Sequence, residues 1–412
     1  MLVSKTYQIS SCDDVELNIK RESKLEFKLD YDDGQIIEAL LFFIAGGAAS
    51  IDDYEYVAHY AARNYKVASV RVRYHCIDNR PQLGSSFCMD ERDKFIMKQS
   101  LASIGLSIDT RGIDSFENMN RTLVYIDNTL KELKEKEILS HDYRLPLHVS
   151  FEPARNEYQN FGIMQAQDII NTLIYIQNHC PFKTTGGGVK TIMLGDSYGG
   201  YLANVVAKIA PWRIDSVIDI AGFVNFFGDI WRLIGFGKEV DFERFHGAFD
   251  TLLFKNILLY LSDKTHWTND FKSKNYFSLA RKMIREPLNQ EHIQIQSACA
   301  KTLYLSYHSI EDERSPYKDK ALFYQILQQN GFDAKLHSIS SNDIDKKMIK
   351  NTRHGMGISL KLLLKKELPT LLELLQNKTH AQNRTVSYPC DDLIYSFEEN
   401  NGKIHLKIQG KQ

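Results

Sequence analysis

Residues 191–208 constrain the fold more than any other stretch of the chain. The apolar run Thr191-Ile192-Met193-Leu194 reads as a buried strand, and Gly200-Tyr201-Leu202-Ala203-Asn204-Val205-Val206-Ala207-Lys208 reads as a helix. Between them stand only Gly195-Asp196-Ser197-Tyr198-Gly199. A turn that tight closes only where Cβ atoms are missing, and the two glycines supply those positions. Ser197 is left at the apex, in front of a helix N-terminus that stabilises negative charge. The five residues are common by themselves; the strand before them and the helix after them give them meaning.

Other segments repeat the alternation. Residues 36–45 are almost continuously apolar and read as a buried central strand ending in Gly46-Gly47, and 67–72 read as another after a helix over 54–64. Further strands are expected at 216–220, 302–307 and 334–339, with helices at 162–177, 318–330 and 358–376, the last interrupted by Pro369. Strands alternating with helices predict an α/β fold with a doubly wound, mostly parallel central sheet. Residues 1–37 instead alternate polar and apolar side chains, as in Val15-Glu16-Leu17-Asn18-Ile19-Lys20, which predicts antiparallel strands with one wet face.

One α/β domain is expected over 1–412, with three additions. Residues 78–160 are read as an insertion near the active-site face, a candidate lid, with a long helix over 115–138 whose charge run 131–137 is a wet face. Within it, 145–158 has two prolines and no clear period. Residues 223–298 are read as a mainly helical insertion or cap rich in aromatics: Phe226, Phe227, Trp231, Phe236, Phe242, Phe245, Phe249, Trp267 and Tyr276. These rings form either core or the wall of a substrate cleft. Residues 385–412 are read as a C-terminal β-hairpin turning at Asn400-Asn401-Gly402.

Composition narrows the function classes. The 412 residues carry a net charge of −1, so no basic field favours nucleic acid or anionic lipid as a partner. Six scattered cysteines without a CxxC pair argue against a disulfide framework or a zinc knuckle and for a reducing compartment. With no signal peptide and no apolar stretch of spanning length, a cytoplasmic protein without membrane partners is expected. HExxH is missing and no His/Cys/Asp cluster has ligand spacing, so neither metal nor cofactor is expected. Gly186-Gly187-Gly188-Val189-Lys190 precedes a strand instead of joining strand to helix, and reads as a simple turn and not a phosphate loop.

A serine hydroxyl is a weak nucleophile at neutral pH and needs a base, itself oriented by a carboxylate. The strand at 302–307 is followed by His308-Ser309-Ile310-Glu311-Asp312-Glu313-Arg314-Ser315-Pro316, which offers Asp312 as the acid; Glu311 and Glu313 flank it and stay open as alternatives. The strand at 334–339 is followed, after a polar loop, by Arg353-His354-Gly355, which offers His354 as the base. Negative charge on an attacked carbonyl oxygen needs N–H donors. Tyr198 supplies one, and Gly47 or Ala48, after the strand at 36–45, the second. His308 and Asp168 are read as structural.

The elbow GDSYGG, the loop HSIEDERSP and the late RHG together resemble the α/β-hydrolase superfamily, particularly its prolyl-oligopeptidase-like and esterase branch, over about 36–75 and 160–375. The resemblance implies Ser197 as nucleophile, Asp312 as acid and His354 as base. The whole chain is similar to a family of Campylobacter-type bacteria through SCDDVELNIKR at 11–21 and Tyr74-His75-Cys76, and that family's genes sit in flagellin-glycosylation loci. The expectation is a serine hydrolase, an esterase or deacylase, whose partner is a small acylated molecule such as a sugar or sugar nucleotide. The alternatives are an acyltransferase using the same three residues on a sugar acceptor, a peptidase, and an inactive hydrolase-fold scaffold.

Overall fold

The structure, a computed structural model, describes residues 1–47, 49–184, 188–225, 254–268, 270–376, 378 and 383–411. Fourteen strands are described: β1 (Leu2–Ile9), β2 (Leu25–Asp32), β3 (Ala39–Ile44), β4 (Val67–Arg73), β5 (Ser86–Cys88), β6 (Leu145–Glu152), β7 (Lys190–Asp196), β8 (Ser216–Ile220), β9 (Ile257–Asp263), β10 (Leu303–Ser309), β11 (Ala334–Ile339), β12 (Thr385–Cys390), β13 (Leu393–Asn400) and β14 (Lys403–Gly410). Contacts divide the chain into two compact units, Met1–Ile77 with Asn160–Ile230 and Phe277–Gln412, and Asp78–Gln159 with Trp231–Tyr276.

The first unit is built on an eight-stranded sheet in the order β1-β2-β4-β3-β7-β8-β10-β11. β1, β2 and β4 pair antiparallel, and β4, β3, β7, β8, β10 and β11 run parallel. The hydropathy pattern explains the division. In β2 Leu25, Phe27, Leu29 and Tyr31 are buried and, of the residues between and after them, only Asp30 is, whereas all six residues of β3 and all five of β8 are. An antiparallel second strand followed by parallel strands in this order is the α/β-hydrolase fold. Helices α1 (Glu55–Asn64), α4 (Ile163–Asn178) and α5 (Tyr198–Ile209) belong to this unit, with Leu279–Arg285, Gln290–Cys299, Tyr317–Gln329 and Leu360–Leu375. No helix among the described residues is long and apolar enough to cross a membrane.

The C-terminal hairpin has one strand more than expected, forming an antiparallel sheet β12-β13-β14. Asn400 pairs with Lys403, so the turn is Asn401-Gly402, with φ of 49° and 74°. Positive φ at both central residues matches the right-handed twist of the strands, and Asn-Gly tolerates it. Polar bonds fasten this sheet to the unit: Trp212 Nε1 donates to Glu399 (3.0 Å), Tyr395 Oη to Glu16 (2.9 Å), and the Ile404 N–H to Asn171 (2.9 Å).

The second unit corrects two expectations. Residues 145–152, which showed no period, are β6, and 257–263, expected inside a mainly helical insertion, are β9; the two pair in parallel, with β5 antiparallel to β6. A short apolar run does not tell strand from buried helix until its partner is known. Pro146 fits because the Leu145 N–H donates to Asn256 (2.9 Å), which turns position 146 to the other side of β6, where β5 reaches only 150–152. Helix α2 (Glu91–Ala102) contributes Met97 and Leu101 to this unit's own core. Helix α3 (Phe116–Glu135) contributes Met119, Leu123, Ile126 and Leu130, spaced 4, 3 and 4 apart so that they share one face. Strands of both insertions thus share one sheet and one core within this unit. Phe226, Phe227, Trp231, Phe236, Phe242, Phe245 and Phe249 lie outside the described residues; Trp267 is buried.

Candidate active site

β7 ends at Asp196 and α5 begins at Tyr198, so Ser197 alone makes the turn, at φ 54° and ψ −118°. A non-glycine residue there carries strain of about 1–3 kcal/mol, which persists only where the surroundings impose it. The glycines show how they do. A Cβ on Gly195 would lie 2.2 Å from the Gly199 carbonyl oxygen, and one on Gly199 would lie 2.0 Å from the Ile44 carbonyl oxygen. Strand end, helix start and the neighbouring β3 meet backbone to backbone, and the serine is pushed outward.

Asp312 lies on the loop after β10, and His354 on the loop between β11 and the helix Leu360–Leu375. The structure brings them to Ser197. His354 Nε2 is 2.7 Å from Ser197 Oγ, and His354 Nδ1 is 2.8 Å and 3.0 Å from the two carboxylate oxygens of Asp312. Because an ionised carboxylate only accepts, Nδ1 carries the proton and Nε2 is left to accept from the serine. Burial pushes the Asp312 carboxyl up, but the His354 hydrogen bond and charge and the Ser315 N–H outweigh it and hold it below the usual carboxylate range. The Arg314 and Ser315 N–H groups both donate to Oδ1, at 2.9 and 3.0 Å.

Of the three adjacent acids, only Asp312 faces the imidazole. Glu311 is exposed and accepts from Thr352 Oγ1 (2.5 Å), and Glu313 is exposed. Ser309 Oγ also donates to the Thr352 carbonyl (2.6 Å), so the acid loop and the histidine loop are tied together two residues before His354. His308 is buried, donates through Nε2 to the Ser315 carbonyl (2.8 Å) and braces the loop. Burial and the nearby Lys320 push it down to about 4, so it is neutral near pH 7. Asp168 accepts from Ser11 Oγ (2.5 Å) and the His75 N–H (2.8 Å) and is ion-paired with Arg21, a buried network away from Ser197's partners.

The expected oxyanion donors divide. Tyr198 opens α5, which puts its N–H in the helix's first turn directly after Ser197. Gly47 is exposed in the turn after β3, with open space where a Cβ would stand. Ala48 lies outside the described residues, as do Gly186 and Gly187 of the glycine run.

Three residues escaped the sequence. Phe223 stacks on the His354 ring, centroids 5.5 Å apart and planes 20° apart. Asp196 accepts a hydrogen bond from Tyr54 Oη beside the Gly46 turn. Phe223 stood three residues after a strand and Asp196 inside the elbow motif, but only register across the sheet reveals what either meets. Among the described residues no group of three or more His, Cys, Asp or Glu could hold a metal ion.

Among solved structures the chain is similar to the acylaminoacyl peptidase of Pyrococcus horikoshii, at 15% identity and a TM-score of 0.44, covering 92% of this chain and 42% of that one. It is also similar to fungal esterases from Rhizomucor miehei (11%, TM-score 0.44, covering 92% and 84%) and to a bacterial heroin esterase (10%, TM-score 0.47, covering 92% and 85%). The chain thus spans about two fifths of the peptidase's length. No curated protein sequence matches it. The family model described as "Protein of unknown function (DUF2920)" matches residues 5–408, and the chain belongs to that family.

Proposed function

We propose that the protein is a serine hydrolase that cleaves an ester or amide through an acyl-enzyme. The 2.7 Å contact between Ser197 Oγ and His354 Nε2 carries this reading. His354 takes the serine proton as Oγ attacks the carbonyl carbon. Asp312 stabilises the imidazolium that forms. The Tyr198 N–H and a donor from Gly47 or Ala48 bind the tetrahedral oxyanion, each worth about 2.7–4 kcal/mol. The imidazolium then protonates the leaving alcohol or amine as its bond to carbon breaks. Water, deprotonated by His354, releases the acid and restores Ser197.

The substrate class we propose is an O-acyl or N-acyl group on a sugar, of the kind used in flagellin modification; the resemblance of 11–21 and of Tyr74-His75-Cys76 supports it. We assign the reaction to the cytoplasm, a reading supported by six cysteines that form no disulfide. Incubation with acylated sugar nucleotides and with simple acetyl esters tests the proposal. Release of free acid is expected, and no release from any of them overturns it. An acylated acceptor sugar in excess of free acid would assign the same residues to an acyltransferase, and a folded protein inert to every acyl compound would be a scaffold.

A further inference from the structure

β3 and β7 are neighbours in register, with Ile44 opposite Gly195. Their chains leave the sheet side by side, one into the glycine turn and the other into the elbow. Beyond that pair the strand ladder no longer fixes the spacing between them, yet an oxyanion site needs it fixed to a fraction of an ångström.

We propose that Tyr54 and Asp196 are a positioning pair that clamps the turn carrying the second oxyanion donor against the elbow. The proposal rests on the serine hydrolase reading above. Tyr54 Oη donates to Asp196 Oδ1 and accepts from the Gly46 N–H (3.4 Å), so one phenol bridges the two chains. The turn lies directly on Asp196: a Cβ on Gly46 would stand 2.9 Å from the Asp196 carbonyl oxygen and 3.2 Å from its Oδ2. Tyr54 is itself fixed. It is 6% exposed, lies 6.3 Å from the Phe43 ring, and ends a 3₁₀ turn (Ile51–Tyr54) closed by a capping box between Ser50 and Asp53. Burial, and then the Asp196 charge, raise its hydroxyl far above the usual phenol range, so it keeps its proton; burial also pushes the Asp196 carboxyl up, against the lowering effect of the Tyr54 hydrogen bond. Tyr74 Oη holds the other side of the turn through the Ala45 carbonyl (2.7 Å). Neither Tyr54 nor Asp196 has a place in the proton transfers; they hold a donor where charge develops.

A clamp of this kind acts on the transition state and not on substrate affinity. The test compares Tyr54→Phe, Asp196→Asn and Asp196→Ala with the wild type on p-nitrophenyl acetate, with Tm measured for each. Tyr54→Phe, which keeps the ring and its packing, is expected to lower kcat about 10- to 100-fold with KM within about twofold. Asp196→Asn, which still accepts from the phenol, is expected to lose less than Asp196→Ala, and the double variant Tyr54→Phe/Asp196→Ala no more than the worse single one. A Tyr54→Phe kcat within about twofold of wild type overturns the proposal, as does a loss of rate that follows only the loss of folded protein. A wild type inert to both the ester and a fluorophosphonate overturns the hydrolase reading with it, whereas an active wild type beside an unaffected Tyr54→Phe overturns the clamp alone.

Discussion

Asp312→Asn is a nearly isosteric change whose effect follows from two backbone donors. Asp312 Oδ1 accepts from the N–H groups of Arg314 (2.9 Å) and Ser315 (3.0 Å), and Oδ2 lies nearest His354 Nδ1 (2.8 Å). In the asparagine variant the amide oxygen must take the Oδ1 place, because an NH₂ group there would face two N–H donors. That turns the NH₂ toward Nδ1. The imidazole then moves its proton to Nε2 and presents N–H to Ser197, which has no base. Recovering the productive tautomer means flipping the amide and orphaning both backbone donors, at about 1–3 kcal/mol each. The sum, about 2–6 kcal/mol, is roughly 30- to 20,000-fold in kcat, and the lost stabilisation of the imidazolium places the result toward the upper end. Asp312→Ala opens the site to water and leaves the ring free to choose its tautomer, so it is expected to lose less. Ester turnover of both variants, with Tm as the control for folding, decides the matter. An asparagine variant more active than the alanine variant would refute the tautomer reasoning.

Three further outcomes are expected. Gly199→Ala drives a Cβ into the Ile44 carbonyl (2.0 Å), at a cost of about 3 kcal/mol or more in urea unfolding; an unchanged midpoint would contradict the packing of the elbow. Phe223→Leu removes the ring stacked on His354, a contact of about 0.5–1.5 kcal/mol, so kcat/KM should fall about 2- to 10-fold while Tm changes little; unchanged kinetics would deny the ring a part in holding the base. Burial pushes the Lys208 ammonium down to about 7 from 10.5. Between those values the unfolded chain binds the extra proton, so stability rises with pH, by about 2 kcal/mol from pH 7 to 9, while below pH 7 the cost of burying the charge is present in full. Lys208→Met should flatten that rise in urea midpoints, and parallel slopes for the two proteins would contradict it.

What was legible in the chain was whatever one segment decides alone. The elbow followed from an apolar run, two glycines and a helix. Asp312 followed from chemistry standing just after a strand, His354 from its place between a later strand and the last helix, and the Asn401-Gly402 turn from residues that tolerate positive φ. What stayed hidden needs two segments at once. β6 carries Pro146 and becomes a strand only because β9 bonds its other side. Glu311 and Asp312 are told apart by Thr352 and by the backbone of Arg314 and Ser315, contacts that fold back from another loop or turn. Tyr54 lies 142 residues from Asp196, and nothing in either neighbourhood announces the other. The division into two units is of the same kind, since it depends on two separate insertions sharing one core.

The central claim, that Ser197 is activated by His354, is tested most directly by covalent capture. The wild type is treated with a fluorophosphonate and the adduct located by peptide mass spectrometry. One adduct on Ser197 is expected, abolished in Ser197→Ala and slowed at least about 100-fold in His354→Ala. A folded wild type that takes up no label, or takes it up at another residue, would contradict the claim.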